Sequence, residues 1–202
     1  MPLIEPDGLW RDIRTAELGA GIPALFLDRD GTLIELVDYL SDPMGVRLIP
    51  AAADAVRSAN QAGIAVVIVT NQSGIGRGYY DWPAFEAVQN RLYEMCAAAG
   101  AVIDAAYACA HPPSAAGGPE NSAYRKPAPG MLLRARDDLG LNLAKSCIAG
   151  DAVTDLAAGK AAGLKSGLLV ETGYGVRDQA AALALSRDGF GVYLSDWDRL
   201  GE

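Results

Sequence analysis

The chain has 202 residues, of which 50% are hydrophobic, and it carries a formal net charge of -8 with a pI near 4.7. This acidic balance argues against binding nucleic acid through a broad basic face. No apolar run approaches the roughly 20 residues of a membrane span. The three cysteines are too dispersed for a disulfide framework, which is typical of a reducing compartment. We therefore expect one domain over residues 1–202, in the cytoplasm and without a nucleic-acid or membrane partner.

The pattern along the chain predicts alternating strands and helices. Residues 1–22 mix polar and apolar side chains around Trp10 and are interpreted as an N-terminal extension that contains a short helix. An apolar run at 24–27 predicts a buried strand, and the turn residues in 34–48 predict an irregular segment. Further strands are predicted at 64–69, 101–109, 146–149 and 166–170, and helices at 50–62, 82–99, 128–139 and 153–162. This alternation indicates a Rossmann-like α/β fold, with a mainly parallel sheet and helices on both faces.

Two aspartates follow the first buried strand. Asp28 and Asp30 lie in the run Asp-Arg-Asp-Gly-Thr, in which Gly31 and Thr32 begin a turn. Ligands of an open parallel sheet bind outside the carboxyl ends of its strands. Side chains at i and i+2 of an extended chain point to the same side, so both carboxylates would face one reacting group if the strand geometry continues. One carboxylate can then attack an electrophile such as phosphorus while the other transfers protons. An ordinary polar turn is the alternative interpretation.

Two later segments could handle an anion. Thr70 ends the second predicted strand and begins a glycine-rich run to Gly78, which offers a hydroxyl donor and accessible backbone N–H groups. Arg125 and Lys126 precede a predicted helix, whose N-terminus favours anions. Taken alone, the first segment is an ordinary glycine-rich turn and the second a solvated basic pair.

The fourth segment adds more acidic groups. Asp151 follows the strand predicted at 146–149, and Asp155 lies four residues later in the first turn of a helix. Asp155 alone could simply complement the helix dipole. Together, the four segments supply a nucleophile with a proton-transferring acid, a hydroxyl donor, a lysine and a further acid, which is the set of groups that phosphoryl transfer requires.

These segments, taken in order, resemble the four motifs of the haloacid dehalogenase superfamily. The segments are Asp28-Arg-Asp-Gly-Thr, Thr70-Asn-Gln-Ser, Arg125-Lys-Pro and Gly150-Asp-Ala-Val-Thr-Asp, and the resemblance covers residues 24–175. The runs Thr-Asn-Gln-Ser-Gly-Ile-Gly-Arg-Gly and Arg-Lys-Pro-Ala-Pro-Gly-Met are similar to the family of D,D-heptose 1,7-bisphosphate and histidinol-phosphate phosphatases. No large insertion interrupts the chain, so no large cap domain is expected.

The resemblance implies a catalytic role for four residues. Asp28 would be the nucleophile that forms an aspartyl-phosphate, and Asp30 would be the general acid and base. Thr70 and Lys126 would hold the phosphoryl group that is transferred.

The resemblance also implies a magnesium site. Asp28, the carbonyl oxygen of Asp30 and Asp151 would bind Mg²⁺, and Asp155 would orient a metal-bound water or Lys126. The physical chemistry agrees with this, because cations must offset the repulsion between an ionised carboxylate and the phosphoryl oxygens.

The expected substrate is a small phosphorylated metabolite, and a sugar phosphate or bisphosphate such as D,D-heptose 1,7-bisphosphate is favoured. Asn71, Ser73, Arg77 and Arg125 lie in or beside the phosphate-handling segments, where arginine could clamp a second anionic group. Histidinol phosphate is the alternative substrate. A phosphoacceptor regulatory domain and a catalytically silent sugar-phosphate binding protein are the alternative functions. We expect a monomer, although no residue pattern determines the oligomeric state.

One further expectation is that the chain has no structural zinc. In the resembled family, a loop before Arg-Lys-Pro typically holds zinc through Cys-x-His and Cys-x-Cys. Cys109 and His111 supply the first half, but Ser122 and Tyr124 stand in the second, and hydroxyl groups are poor zinc ligands compared with thiolates. The chain has no other histidine, and only an acid such as Glu120 could complete the set.

Overall fold

A computed structural model describes residues 2–15, 18–120 and 122–195. The strands of its sheet are β1 Leu3–Ile4, β2 Leu9–Ile13, β3 Ala24–Leu27, β4 Ala65–Asn71, β5 Ala105–Cys109, β6 Cys147–Gly150, β7 Ser166–Val170 and β8 Gly191–Ser195. They lie side by side in the order β1-β2-β5-β4-β3-β6-β7-β8. Along this order, all pairings from β5 through β4, β3, β6 and β7 to β8 are parallel, whereas β2 pairs antiparallel with both β1 and β5. This is the mainly parallel sheet that the sequence predicts.

Helices cover both faces of the sheet. They are α1 Pro50–Gln61, α2 Ser73–Gly76, α3 Trp82–Ala98, α4 Gly130–Leu139, α5 Val153–Ala161 and α6 Gly175–Leu183, with 3-10 turns at Pro43–Gly45, Ser114–Ala116 and Leu143–Lys145. Successive residues of β4 point to opposite faces. Ile68 packs with α1 and α3 in one hydrophobic cluster, and Val67 packs with α4, α5 and α6 in a second. The central strands are therefore buried on both sides, which is why they read as continuous apolar runs.

The helix ends follow the signals in the sequence. Pro50 occupies the first turn of α1, and Gly63 just beyond the helix has φ +70°. The Asp81 carboxylate caps α3 by accepting a hydrogen bond from the Ala84 backbone N–H at 3.0 Å. The helices predicted at 50–62, 82–99, 128–139 and 153–162 are confirmed to within two residues at each end.

The prediction of a short helix within residues 1–22 was wrong, because the described part of this segment forms β1 and β2. Leu9 and Trp10 are both buried, but Leu9 packs on the α4 side of the sheet and Trp10 on the α3 side. Adjacent apolar residues with opposite orientations are typical of a strand. Helix α6 and strand β8 were not predicted from the sequence, and β5 begins four residues later than predicted.

A network of charged side chains ties the N-terminal strands to α4. Arg134 of α4 donates to both carboxylate oxygens of Glu5 at 3.0 and 2.6 Å and to Asp138 at 3.0 Å. Arg11 of β2 lies between the same two carboxylates, 3.1 Å from Glu5 and 2.9 Å from Asp138. Because α4 follows Lys126 closely in the chain, these contacts brace the segment that carries the lysine.

None of the helices in the described parts of the chain combines the length and apolar character that a membrane crossing requires.

Candidate active site

Polar residues from the four predicted segments meet at the carboxyl ends of β3, β4 and β6. Asp28 directly follows β3, and its backbone N–H donates to the carbonyl oxygen of Ala149 in β6 at 3.0 Å. Thr70 lies near the end of β4, and Asp151 directly follows β6. The parallel register brings these positions together because β3 lies between β4 and β6. The sequence prediction that they share one edge of the sheet is therefore confirmed.

Lys126 lies at the centre of this cluster. Its ammonium group donates to Asp28 Oδ1 and to the Val69 carbonyl oxygen, both at 2.7 Å, and its Nζ lies 2.7 Å from Asp155 Oδ1. These three acceptors use all three ammonium hydrogens. Burial by itself would lower the pKa of Lys126, but the Asp155 and Asp28 carboxylates outweigh burial and raise the pKa above its ordinary value. Lys126 is therefore a permanent buried cation beside Asp28.

The side-chain amide of Asn71 fixes the backbone of Lys126. Asn71 Nδ2 donates to the Lys126 carbonyl oxygen at 3.1 Å, and the Lys126 backbone N–H donates to Asn71 Oδ1 at 3.0 Å. The peptide bond between Lys126 and Pro127 is cis. In this structure the side chain of Asn71, which was predicted to bind substrate, holds the backbone of Lys126 in place.

Three buried carboxylates could hold a metal ion. Asp28, Asp151 and Asp155 each offer an oxygen, and these oxygens lie within 4.8 Å of one another. Gly31 and Gly173 lie against Asp151 so closely that a Cβ at either position would overlap its carboxylate. Oxygen ligands of this kind suit Mg²⁺. The donor set and the tight glycine-lined cradle therefore fit a divalent cation.

The electrostatics of the cluster also favour a cation, because three carboxylates face a single ammonium. Burial raises the pKa of Asp28 to about 8; Lys126 opposes this increase, while Asp155, Asp151 and Asp30 add to it. Burial likewise raises the pKa of Asp151 to about 6, although the backbone N–H of Tyr174 donates to its Oδ2 at 2.8 Å and opposes the shift. Added positive charge would lower both values.

Asp155 uses both oxygens for contacts within the protein. Its Oδ2 accepts a hydrogen bond from the Ala152 backbone N–H at 3.1 Å, and its Oδ1 pairs with Lys126. These contacts match the expectation that Asp155 orients Lys126. The same carboxylate remains a candidate metal ligand, because it belongs to the cluster with Asp28 and Asp151.

Asp30 is held by Arg29 and Gln72. Arg29 donates through Nε to Asp30 Oδ2 at 3.0 Å and through Nη2 to Oδ1 at 3.1 Å, and Gln72 Nε2 donates to Oδ2 at 2.8 Å. The condition that strand geometry continues to Asp30 is not met: β3 ends at Leu27, and the chain then turns, with Leu33 N–H donating to the Arg29 carbonyl oxygen at 2.9 Å. The Asp30 charge nevertheless contributes to the raised pKa of Asp28, so the two carboxylates share one environment.

Sequence reasoning missed Arg29, Gln72 and Tyr80. Arg29 is buried, with its guanidinium 5.0 Å from the centre of the Phe85 ring. Gln72 is also buried and connects Asp30, Thr70 and Tyr80 through its amide. Nothing in the pattern of polar residues after a strand tells which side chains turn inward.

The remaining predicted substrate-binding residues surround this centre. Ser73 begins α2 and is half-buried, and Arg77 is exposed at the end of that helix. Arg125 is half-buried and donates to the His111 carbonyl oxygen at 2.8 Å. Burial lowers the pKa of Arg125, and the neighbouring charge of Arg77 lowers it further. The charge of Arg77 therefore reaches the Arg125 guanidinium group.

Ser122 lies at the centre of the loop that carries Cys109 and His111. Its hydroxyl oxygen lies 2.8 Å from His111 Nδ1 and 3.8 Å from Cys109 Sγ. It also accepts a hydrogen bond from the Arg125 backbone N–H at 3.2 Å. These contacts link the loop directly to the residue before Lys126.

The chain is similar to known phosphatases. A family model described as HAD-hydrolase-like matches residues 123–194. The D-glycero-beta-D-manno-heptose-1,7-bisphosphate 7-phosphatase of Mesorhizobium japonicum is 47% identical over 174 residues, which are 84% of this chain and 79% of that protein.

Solved structures agree with this similarity. An HAD-like phosphatase from Mesorhizobium loti is 42% identical with a TM-score of 0.79, and the match covers 93% of this chain and 98% of that one. The D,D-heptose 1,7-bisphosphate phosphatase from B. bronchiseptica, complexed with magnesium and phosphate, is 32% identical with a TM-score of 0.75, over 87% of this chain and 94% of that one. With identity of this extent over most of both chains, and with all four motifs at one edge of the sheet, the chain belongs to the haloacid dehalogenase-like hydrolase family.

Proposed function

We propose that this phosphatase depends on Mg²⁺ and hydrolyses a sugar bisphosphate, with D-glycero-D-manno-heptose 1,7-bisphosphate as the expected substrate. The observation that carries the proposal is the position of Lys126, which joins Asp28 to Asp155 through two contacts of 2.7 Å. A buried cation beside a candidate nucleophile offsets the charge of an incoming phosphoryl group. The names of the similar proteins from Mesorhizobium japonicum and B. bronchiseptica support the choice of substrate.

In the first step of the proposed reaction, Asp28 attacks phosphorus. A bond forms between a carboxylate oxygen of Asp28 and phosphorus, and the bond from phosphorus to the ester oxygen breaks. Asp30 gives its proton to that oxygen, which leaves as the alcohol of the sugar. Thr70 and Lys126 hold the phosphoryl group during the transfer, Thr70 through its hydroxyl hydrogen and Lys126 through its positive charge.

In the second step, water releases the phosphate. Asp30, now ionised, takes a proton from water as the water oxygen bonds to phosphorus. The bond from phosphorus to Asp28 breaks, which regenerates the carboxylate and frees inorganic phosphate. Asp30 holds a proton again and is ready for the next ester.

The magnesium site of this proposal consists of Asp28, the Asp30 carbonyl oxygen and Asp151. A bound Mg²⁺ would supply positive charge to the phosphoryl oxygens and to the ionised nucleophile. The raised pKa values of Asp28 and Asp151 support this assignment, because burial disfavours the ionised form of both carboxyl groups and a bound cation would favour it. Asp155 is assigned to orienting Lys126.

Arg77 and Arg125 are proposed to select the substrate. They lie in the segments after β4 and before α4, and the charge of Arg77 lowers the pKa of Arg125. A cavity of about 360 Å³ is lined by Arg125 and Lys126, and its wall also includes the loop residues Pro113, Ser114, Pro119, Glu120 and Ser122. The two arginines could therefore bind the second phosphate of a bisphosphate, with Asn71 and Ser73 completing the rim of the site.

We also propose that the loop holds no structural zinc. The Ser122 hydroxyl lies where it contacts both His111 and Cys109, so hydrogen bonds connect the two residues that a metal would otherwise join. A hydroxyl is a weaker zinc ligand than a thiolate.

A phosphate-release assay tests the proposed function. Heptose 1,7-bisphosphate, histidinol phosphate and p-nitrophenyl phosphate would be incubated with the protein, with and without Mg²⁺, and the variant Asp28→Asn would serve as the inactive control. We expect phosphate release from heptose bisphosphate only with Mg²⁺ and not with the variant. Phosphate release that is independent of both Mg²⁺ and Asp28 would refute the proposal. Faster release from histidinol phosphate than from heptose 1,7-bisphosphate would show that histidinol phosphate is the preferred substrate.

A further inference from the structure

Gln72 lies between two residues of the proposed catalytic site. It follows β4 directly and is 3% exposed. Its amide nitrogen donates to Asp30 Oδ2 and to Thr70 Oγ1, both at 2.8 Å. A primary amide has two hydrogens on nitrogen, so these two bonds use both of them.

The orientation of the Gln72 amide follows from its neighbours. Its carbonyl oxygen accepts a hydrogen bond from the Tyr80 hydroxyl. Burial raises the pKa of Tyr80 to about 12, so the phenol keeps the hydrogen that it donates at any physiological pH. If the amide were reversed, its carbonyl oxygen would face the Asp30 carboxylate without a hydrogen between them. Tyr80 and Asp30 therefore fix which end of the amide points into the site.

This orientation determines the direction in which the Thr70 hydroxyl group points its hydrogen. Because the Thr70 oxygen accepts a hydrogen from Gln72, the threonine keeps its own hydrogen for a different acceptor. In the proposed reaction that acceptor is an oxygen of the phosphoryl group. A neighbour that accepted instead of donating would draw the Thr70 hydrogen away from the substrate.

The same amide restrains Asp30. Gln72 and Arg29 both donate to Asp30 Oδ2, and Arg29 also donates to Oδ1. A cavity of about 120 Å³ adjoins Asp30 and Gln72, with Tyr39 of the loop at 36–40 in its wall. A leaving group in this cavity would be next to the carboxylate that protonates it. Small changes in the position of an acid lower the rate of proton transfer.

We propose that Gln72 is a positioning residue that fixes both the position of the Asp30 carboxylate and the direction of the Thr70 hydroxyl hydrogen. Tyr80 in turn fixes the orientation of the Gln72 amide. The inference rests on the proposed function, because it assigns proton transfer to Asp30 and phosphoryl binding to Thr70. It adds to that function a residue that itself transfers neither a proton nor the phosphoryl group.

The leaving group gives a test that separates positioning from simple loss of structure. A sugar alkoxide needs a proton in order to leave, whereas p-nitrophenolate leaves readily without one. With Gln72→Ala, we expect kcat/KM, which reports the steps up to departure of the leaving group, to fall about 10- to 100-fold on heptose 1,7-bisphosphate and several-fold less on p-nitrophenyl phosphate. With Gln72→Glu, the new carboxylate would accept the Thr70 hydrogen and draw it away from the phosphoryl group. Activity on both substrates should therefore fall.

Gln89→Ala is the matched control, because Gln89 is also a buried glutamine but lies on α3 and takes part in no proposed step. It should preserve the ratio of the two kcat/KM values. Equal losses in kcat/KM on both esters with Gln72→Ala, or no loss, would overturn the inference while activity of the unaltered chain still supported the proposed function. If the unaltered chain hydrolysed neither ester, the proposed function would itself have failed.

Discussion

Replacing the candidate nucleophile should stabilise the fold, which is the opposite of what most buried substitutions do. Asp28 is 8% exposed and shares its surroundings with Asp151 and Asp155, so the folded protein resists ionisation of this carboxyl group. Asp28→Asn keeps the size and removes the charge. We therefore expect the variant to be inactive and more stable at neutral pH.

The magnitude follows from the raised pKa. The folded value of about 8 exceeds the ordinary value of 3.8, so the folded state binds the proton more tightly than the unfolded chain. Stability is therefore fully present below pH 3.8 and is lost as the pH rises towards 8. At pH 7 the loss amounts to about 3 pH units at roughly 1.4 kcal/mol each, or about 4 kcal/mol. This figure is the largest gain that Asp28→Asn can give, and we expect at least about 1 kcal/mol.

Urea unfolding between pH 5 and pH 8 in the presence of a chelator would measure this effect. The free energy of unfolding should fall with pH in the unaltered chain and fall less steeply in Asp28→Asn. Asp151 contributes a second decrease up to its pKa of about 6, which the variant retains. Asp54→Asn, at an exposed position on α1, is the control and should change stability by less than about 0.5 kcal/mol. A less stable variant at pH 7, or an unchanged pH slope, would refute the reasoning.

Four further predictions concern the rest of the site and the fold. Lys126→Met leaves buried carboxylates without their cation, so the free energy of unfolding at pH 7 should fall by about 3–5 kcal/mol, and an unchanged value in urea unfolding would contradict the pairing. Arg77→Ala should lower kcat/KM for the bisphosphate about 10- to 100-fold and leave p-nitrophenyl phosphate nearly unaffected, whereas equal losses would remove the residue from substrate selection. Metal analysis of protein purified without chelator or metal-affinity resin should find no bound zinc, and an equivalent that disappears in Cys109→Ser would show that the loop binds metal. Arg134→Ala breaks the partly buried network with the N-terminal strands and should cost about 1–3 kcal/mol in thermal unfolding, while Arg91→Ala, which breaks an exposed pair, should cost less than about 1 kcal/mol.

The positions of the four segments that form the candidate site could be predicted because each depends on local sequence. A strand buried on both faces, such as Ala24–Leu27, is continuously apolar, and the residue after it must lie at the edge of the sheet. Parallel pairing then brings Asp28, Thr70 and Asp151 together without further information. This reasoning identifies where each chain segment lies but not where each side chain points.

Side-chain contacts within the site could not be predicted for this reason. Asn71 holds the backbone of Lys126, Arg29 turns inward against Phe85, and Gln72 bridges two other residues. Each contact joins residues that are distant in sequence or depends on how a turn is folded. Polar residues in a loop leave several such arrangements open until the tertiary structure selects one.

The N-terminal strands were missed because their pattern is short and mixed. Leu9 and Trp10 are both buried, on opposite faces of a strand that lies near the edge of the sheet. Only pairing with β5, which is remote in sequence, shows that this segment is extended. Local apolar periodicity cannot distinguish this arrangement from a short helix.

Direct detection of a phosphoryl group on Asp28 is the measurement that tests the central claim. The variant Asp30→Asn with p-nitrophenyl phosphate and Mg²⁺ is suited to it, because the leaving group needs no proton while release of phosphate by water still does. After rapid acid quench, mass spectrometry of the peptide containing Asp28 should show one added phosphoryl group, which borohydride reduction would locate on that side chain. Phosphate release without any phosphorylated Asp28, or phosphorylation of another residue, would contradict the account.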